Sequence, residues 1–320
     1  MSKTAAWLIA GAALILVGGI LFVGVMTSFS WDFGKLSTEK YLTNSYDINE
    51  DFSSVSIDAT VADITFAAAE DGKCSVVCYE EENQKHTVGV EGGELKVELV
   101  DTRKWYEHIG IGFSSPKITV YMPTGEYGAL DVKCSTGHVE IPDELDFVSI
   151  DIKLTTGDIK CYASAEEHIR ISATTGSVLV QNSVADELDI RTTTGNITVC
   201  GFTSQGSVCA NVSTGKTVME NVTAGSVSTE GNTGDVRLEN VIASELLDIE
   251  RSTGDVRLIR CDAANIEIET DTGDVDCTLL SGKIFEVETD TGSRDVPSST
   301  SGGKCKVDTD TGDVKIRIES

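Results

Sequence analysis

Residues Glu269–Ser293 read ETDTGDVDCTLLSGKIFEVETDTGS, with the string TDTG at both ends, nineteen residues apart. The pair Thr-Gly recurs along the chain, with glycine at 137, 157, 176, 195, 215, 234, 254, 273, 292 and 312, always at intervals of 19 or 20. A period of about 20 residues lies in the range of solenoids, in which each repeat contacts only its neighbours. On both sides of each pair, apolar and polar residues alternate, which is the period of a strand and not of a helix. Aligned on glycine, Val236, Val256, Val275 and Val314 stand two positions after it, and Leu238, Leu258, Cys277 and Ile316 four after. Ile249, Ile268, Val287 and Val307 stand five before it, and Leu247, Ile266, Phe285 and Cys305 seven before. Each repeat therefore offers two short strands flanking a turn. One such coil cannot bury its own apolar residues. Coils stacked about 4.8 Å apart can, because their strands pair and equivalent side chains pile into an interior. Glycine suits a turn that needs positive φ, and the threonine before it is expected to bond local backbone through its hydroxyl. The fold expected is all-β: a single-stranded parallel β-solenoid of about ten coils of 19–20 residues over 129–320.

The first thirty residues differ from the rest. No charge occurs from Thr4 to Ser30, and Ala5–Met26 is an apolar run of 22 residues. At about 1.5 Å rise per residue it spans a hydrocarbon core of about 30 Å. A cleaved signal peptide would have a shorter apolar region and a small-residue cleavage site, which VGVMTSFS (Val23–Ser30) matches poorly. Residues 1–30 are thus read as a signal anchor, one transmembrane helix, and 31–45 as a tether. Lys3 before the helix and Lys35 and Lys40 after it nearly balance. A short tail ahead of a large acidic domain favours an extracellular solenoid. The chain has 52 acidic and 25 basic residues, a formal net charge of −27. Such a surface repels nucleic acid and anionic headgroups and attracts cations and basic proteins.

Residues 46–128 break the period but still alternate as strands: SSVSIDA, ADITFAA, KCSVVCYE, HTVGVE, ELKVELV and KITVYM, with a hairpin turn at Gly92–Gly93. They are read as an irregular β cap over the first coil's edge. Within residues 101–116, Trp105, Tyr106 and Phe113 make an aromatic loop, read either as a partner contact or as a segment folded back onto the core. At the other end, DVKIRIES (Asp313–Ser320) is read as an uncapped last coil, with Lys315, Arg317 and Glu319 guarding its edge. Residues 293–304 are read as a loop leaving the last complete coil. Of the nine cysteines, Cys134, Cys161, Cys261, Cys277 and Cys305 fall in inward columns, as small hydrophobes. Cys200 and Cys209 fall off-column, which leaves a disulfide between them open. Cys74 and Cys78 lie too far apart along one strand to bridge. No CxxC pair or histidine cluster points to zinc.

The coils STGDV at 252–256 and DTGDV at 271–275 and 310–314, the irregular cap and the leading apolar helix together resemble a known group. It is the bacterial "putative adhesin" β-solenoid family, a domain of unknown function, and the similarity covers about residues 46–320. The resemblance implies a membrane-anchored envelope protein placed outside the cell, and some relatives stand beside envelope-stress regulators. An accessory role in such signalling is an implication of the resemblance alone. It supplies no catalytic residues.

Repeating faces on a tethered rod suit a non-enzymatic surface scaffold or adhesin-like module that binds envelope proteins or polysaccharides. An enzyme would need carboxylates or bases beside a cleft built by long insertions, and these coils vary in length by one residue. His86, His108, His138 and His168 form no triad spacing with a serine or cysteine. No catalytic residue is assigned. Cation binding, with Ca²⁺ as the ion, has a candidate set: Asp271, Asp290 and Asp310 two before glycine, with Asp274 and Asp313 just after it. Stacked carboxylates repel one another, and oxygen ligands suit Ca²⁺. Aspartate is equally a good turn residue, and the calcium repeat GGxGxD is absent. No other cofactor is expected.

Overall fold

The computed structural model describes residues 3–28, 30–31, 40–101, 115–299 and 301–319. Helix α1 (Lys3–Ser28) contains a stretch, Trp7–Ser28, of 22 residues with mean hydropathy 2.7. By length and composition that stretch is able to cross a membrane.

The coils stack in parallel. Val236 pairs with Val256, and Val256 with Val275. Ile249 pairs with Ile268, and Ile268 with Val307. The inward columns are dry: Val236, Leu238, Leu247 and Ile249 are each 0% exposed. This is the interior that the alternation predicted, and Cys161, Cys261, Cys277 and Cys305 are part of it. All nine cysteines are free, including the part-buried Cys200 and Cys209.

The turn demands glycine for two reasons. Gly254 has φ of +150°, which side-chain-bearing residues rarely adopt. A Cβ there would also lie 2.2 Å from the carbonyl oxygen of Gly234 in the coil below. The neighbouring turns are drawn this close by hydrogen bonds. Gly234 N–H donates to Thr253 O at 2.8 Å, and Gly254 N–H to Thr272 O at 2.9 Å. So the threonine before glycine contributes its carbonyl, and its hydroxyl lies on the exposed side. The hydroxyls that reach the turn belong to the inward threonine three before glycine: Thr192 Oγ1 donates to Gly176 O at 3.5 Å and Thr309 Oγ1 to Gly273 O at 3.4 Å.

A second corner lies six residues after the glycine. Asn182, Gly201, Asn221, Asn240 and Arg260 all have φ between +54° and +65°. Asparagine tolerates this left-handed region better than most residues. It also bonds up the stack: Asn240 Nδ2 donates to Asn221 Oδ1 at 3.0 Å, and Arg260 Nε to Asn240 Oδ1 at 3.2 Å.

The cap comprises β1 (Tyr41–Ile48), β2 (Ser54–Val61), β3 (Asp63–Ala68), β4 (Cys74–Glu81), β5 (Gln84–Glu91), β6 (Glu94–Asp101) and β7 (Lys117–Met122). β1 begins inside the stretch read as a tether and pairs antiparallel with β4. β4 also pairs antiparallel with β7, while β5 and β6 form the hairpin turning at Gly92–Gly93. β2 and β3 are themselves a coil of the stack. Val55 pairs with Leu130, Ile57 with Val132 and Ile64 with Val139, all in parallel. Ala62 takes the place of the turn glycine, and its N–H donates to Thr136 O at 2.9 Å.

The far end departs from sequence order. Lys304–Thr311 pairs with Val256–Thr272 on one side and with Ile284–Thr291 on the other. Val314–Ile318 likewise lies between Val275–Leu279 and Arg294–Asp295. The coil of Gly312 is therefore inserted between those of Gly273 and Gly292. The expectation that DVKIRIES forms an uncapped last coil is overturned, because that strand is paired on both sides over part of its length. The outermost rung is Ile284–Asp295.

Candidate functional site: a charge-divided outer face

Outward residues on the strand before each turn are stacked in register, four positions before glycine. Lys133 pairs with Lys153, Lys153 with Ser172, Ser172 with Arg191 and Arg191 with Asn211. Beyond Asn211 the column becomes acidic. Glu230 pairs with Glu250, Glu250 with Glu269, Glu269 with Asp308 and Asp308 with Glu288. Beside it Asp248 pairs with Glu267. Like charges directly opposite one another in a sheet repel. The effect shows in the carboxyls of Asp248 and Glu250. Both are held above the usual carboxylate range, first by partial burial and then by neighbouring charges: Glu267, Glu230 and Glu269 around Asp248, and Asp248, Glu230 and Glu269 around Glu250. A face of this kind gains by taking up positive charge. Its surface is shallow, a depression lined by Glu230, Asn232, Glu250, Ser252, Glu269 and Asp271.

Under this depression the interior carries an exception. Arg251 is 4% exposed and stands in an inward column, with its NH2 donating to Thr217 Oγ1 at 2.7 Å and Thr229 Oγ1 at 2.8 Å. Burial lowers its pKa to about 10. The room for it comes from Gly231, its partner in the next coil, where a Cβ would lie 1.8 Å from Arg251 NH1.

The sequence-predicted site residues fall in two groups. Asp271, Asp290 and Asp310 are exposed and flank the acidic column. Asp274 and Asp313 belong to the turn. Asp274 N–H donates to Asp255 Oδ1 at 3.0 Å, Asp313 N–H to Asp274 Oδ1 at 2.8 Å and Ser293 N–H to Asp313 Oδ1 at 2.7 Å. This ladder runs up the rod: Ser177 N–H donates to Asp158 Oδ1 at 2.8 Å and Lys216 N–H to Asn196 Oδ1 at 3.0 Å. The aspartate of TGDV thus caps the backbone of the next coil, which is local side-chain-to-backbone bonding between neighbouring coils. Trp105, Tyr106 and Phe113 lie outside the described residues.

Sequence reading missed the acidic column, although its members are spaced at the repeat and fall four before each glycine. It also missed a cluster in the cap. Cys78, Glu80 and His86 are all buried, and one potential metal-ligand atom from each lies within 4.8 Å of the others. A cysteine, a glutamate and a histidine so spaced match no zinc motif, and only the β4–β5 hairpin joins them.

Comparison with curated proteins finds no significant match. Among solved structures, a "putative adhesin" from Bacteroides fragilis is similar at 18% identity and a TM-score of 0.43, covering 87% of this chain and 97% of that one. A "putative adhesin" from Parabacteroides distasonis follows at 12% identity and a TM-score of 0.38, with 87% and 98% covered. A "putative lipid binding protein" from the same species has 14% identity and a TM-score of 0.33, with the same coverage. The signature of Toastrack DUF4097 matches residues 52–215 and again 203–320, and so nearly the whole stack from its first rung at β2. The chain belongs to the Toastrack DUF4097 family.

Proposed function

We propose that the chain is a non-enzymatic surface scaffold or adhesin-like module, held at the membrane by α1 and displayed outside the cell. On this reading it binds cationic partners, basic proteins or amine-bearing envelope polymers, along the acidic half of its outer face. The observation that carries the reading is the register of Glu230, Glu250, Glu269, Asp308 and Glu288, which sets five carboxylates in one column. The near-constant coil length supports a binding face over a catalytic cleft, since clefts on solenoids come from insertions. The apolar helix supports anchoring by its length.

The test uses the full chain in lipid nanodiscs. Oligolysine binding is measured at low and at physiological salt, with the triple variant Glu250→Gln, Glu269→Gln, Asp308→Asn beside it. Binding that weakens at least about tenfold in the variant and falls with salt supports the reading. Equal binding by both proteins removes it. A second reading, Ca²⁺ held by the same column with Asp271, Asp290 and Asp310, rests on the same repulsion. Calorimetric heat with Ca²⁺ but none with oligolysine would favour it. Protease shaving of intact cells tests the side of the membrane: survival of the coils in unbroken cells would refute external display.

A further inference from the structure

The cap holds a cluster that the proposed binding face does not use. Alternation along β4 turns Cys74, Val76, Cys78 and Glu80 to its buried face. The hairpin to β5 then brings His86 back over Glu80. His86 Nδ1 lies 2.7 Å from Glu80 Oε2, and the His86 backbone N–H donates to the same oxygen at 2.6 Å. The other carboxylate oxygen accepts from Asn44 Nδ2 at 2.6 Å, so Glu80 is fixed from both sides. Tyr46 closes the site from β1, its hydroxyl donating to His86 O at 3.2 Å. Glu80 is 1% exposed, His86 4% and Cys78 0%. His86 Nε2 is buried with no hydrogen-bond partner in the protein.

An ion pair of Glu80 with His86 would explain two of these groups but not the third, nor the unpartnered nitrogen. Buried polar atoms without partners are uncommon and point to a group supplied from outside the chain. We propose that Cys78, Glu80 and His86 form a site for one divalent transition-metal ion of the zinc class, which fastens the β4–β5 hairpin into the cap. The donor set is one sulfur, one oxygen and one imidazole nitrogen. That mixture suits Zn²⁺ and Co²⁺ and not the all-oxygen preference of Ca²⁺ or Mg²⁺. Charge agrees: a thiolate, a carboxylate and a neutral imidazole carry two negative charges, which a divalent ion cancels in a buried place. On binding, the Cys78 thiol loses its proton to water as sulfur bonds the metal, and the imidazole enters neutral. Asn44 orients the carboxylate as outer-shell partners of metal ligands do.

The probe is Co²⁺, added to the full chain in detergent after reduction and treatment with chelator. The expected result is one ion per chain, with a near-ultraviolet thiolate-to-cobalt band and visible bands of a low-coordinate site, all removed by Zn²⁺. Cys78→Ser should abolish the near-ultraviolet band. Glu80→Gln and His86→Gln should weaken binding at least about tenfold, the range found for removal of a ligand or its support. Cys277→Ser, in the dry interior of a distant coil, should leave the spectrum unchanged. Because Cys78→Ser could disturb the cap, zinc-edge absorption of the unaltered chain gives an independent count, expected at one sulfur with nitrogen and oxygen neighbours. Absence of the cobalt band, its persistence in Cys78→Ser, or a zinc shell without sulfur would each overturn the proposal.

Discussion

Gly254→Ala tests the physics of the stack at one atom. The new methyl would sit 2.2 Å from Gly234 O and 2.6 Å from its carbonyl carbon, both backbone atoms that cannot rotate away. Relief requires lifting one coil off the next. Overpacking of this kind costs about 1–3 kcal/mol. Holding alanine at a φ of +150° adds about 1–3 kcal/mol of backbone strain. Separation also weakens the bonds from Gly234 N–H to Thr253 O and from Gly254 N–H to Thr272 O, each worth about 1 kcal/mol net. Against this, alanine restricts the unfolded chain and returns about 0.4–1 kcal/mol. The net expected loss is about 3–5 kcal/mol. Because stability in a repeat protein is mostly nearest-neighbour, the loss should be local. The assay is native-state hydrogen exchange by mass spectrometry on the full chain in detergent. Peptides covering Gly234, Gly254 and Gly273 should exchange at least about a hundredfold faster, since each 1.4 kcal/mol is about tenfold. Peptides from β2 to Gly176 should not change. Ala62 is the natural comparison: it stands in the same place of the β2–β3 rung and carries a Cβ there, but its φ is not positive. Exchange in Gly254→Ala within a factor of three of the unaltered chain, or uniform acceleration along the rod, would refute the close-approach argument.

Three further outcomes are expected. Gly231→Ala and Arg251→Ala should each destabilise by about 2–4 kcal/mol, the first through overlap with the guanidinium and with the Val212 carbonyl oxygen, the second through a cavity and the stranded hydroxyls of Thr217 and Thr229. The double variant should lose less than the sum, and additivity in chemical denaturation would contradict the pairing of notch and side chain. Stability should also rise on mild acidification. Asp248 and Glu250 have raised folded pKa values, so the native state holds protons that the unfolded chain has released, and their contribution falls as pH rises through that interval. Asp235 runs the other way, because its lowered pKa, due first to the Lys216 hydrogen bond, gives stability that is lost as pH falls through the folded value. Glu250→Gln should therefore raise the Tm at neutral pH and reduce the gain on acidification to about pH 5; a larger gain in the variant would be the wrong sign. Arg294→Ala should promote end-to-end association, seen as dimers in sedimentation of the detergent-solubilised chain, and an unchanged monomer would count against the edge role described below.

What the sequence discloses here follows from what periodicity can and cannot carry. Alternation around Thr-Gly names the inward residues, since a strand has only two faces and water selects between them. It does not disclose the rung at β2–β3, because Ala62 replaces the one residue that marks each turn. Nor does it give the order of the last coils. Those of Gly273, Gly292 and Gly312 share the same D-T-G turn and interchangeable inward residues, so either stacking sequence satisfies the pattern. Nothing in the spacing links Arg251 to Gly231, yet the guanidinium occupies the notch that the glycine leaves across a register pair. The asparagine corner was visible in principle, at Asn221 and Asn240, but it lacks the invariant partner that makes Thr-Gly conspicuous. The site in the cap escaped because its members meet through a hairpin whose geometry no spacing rule for zinc describes. Charge behaved differently from all of these. Net charge predicted a cation-seeking surface, but only the register concentrates the acids in one half of one face.

An open solenoid has an edge at each end, and an exposed row of strand bonds invites a second copy. At the near end β6 and β7 continue the stack in parallel on β2 and β3, and β4 then runs antiparallel between β7 and β1, which turns the ladder away from further parallel growth. At the far end, insertion of the Gly312 coil leaves Ile284–Thr291 outermost. Ile284 N–H donates to Gly303 O, so from Ile284 to Thr289 the even-numbered residues bond toward the inserted coil and the odd-numbered ones away from it. Two of the outward carbonyls, those of Val287 and Thr289, each accept from the Arg294 guanidinium, at 2.9 Å. A single side chain thus occupies bonding positions that a further strand would use, while Glu286, Glu288 and Asp290 add repulsion alongside. The coil best suited to the outside has been placed there by letting a later one slip beneath it. At the outermost rung this guard is Arg294, while Lys315 lies on the part of its strand that Arg294–Asp295 covers. The same device makes the outermost rung a poor acceptor for a further copy, because two of its outward carbonyls are already engaged.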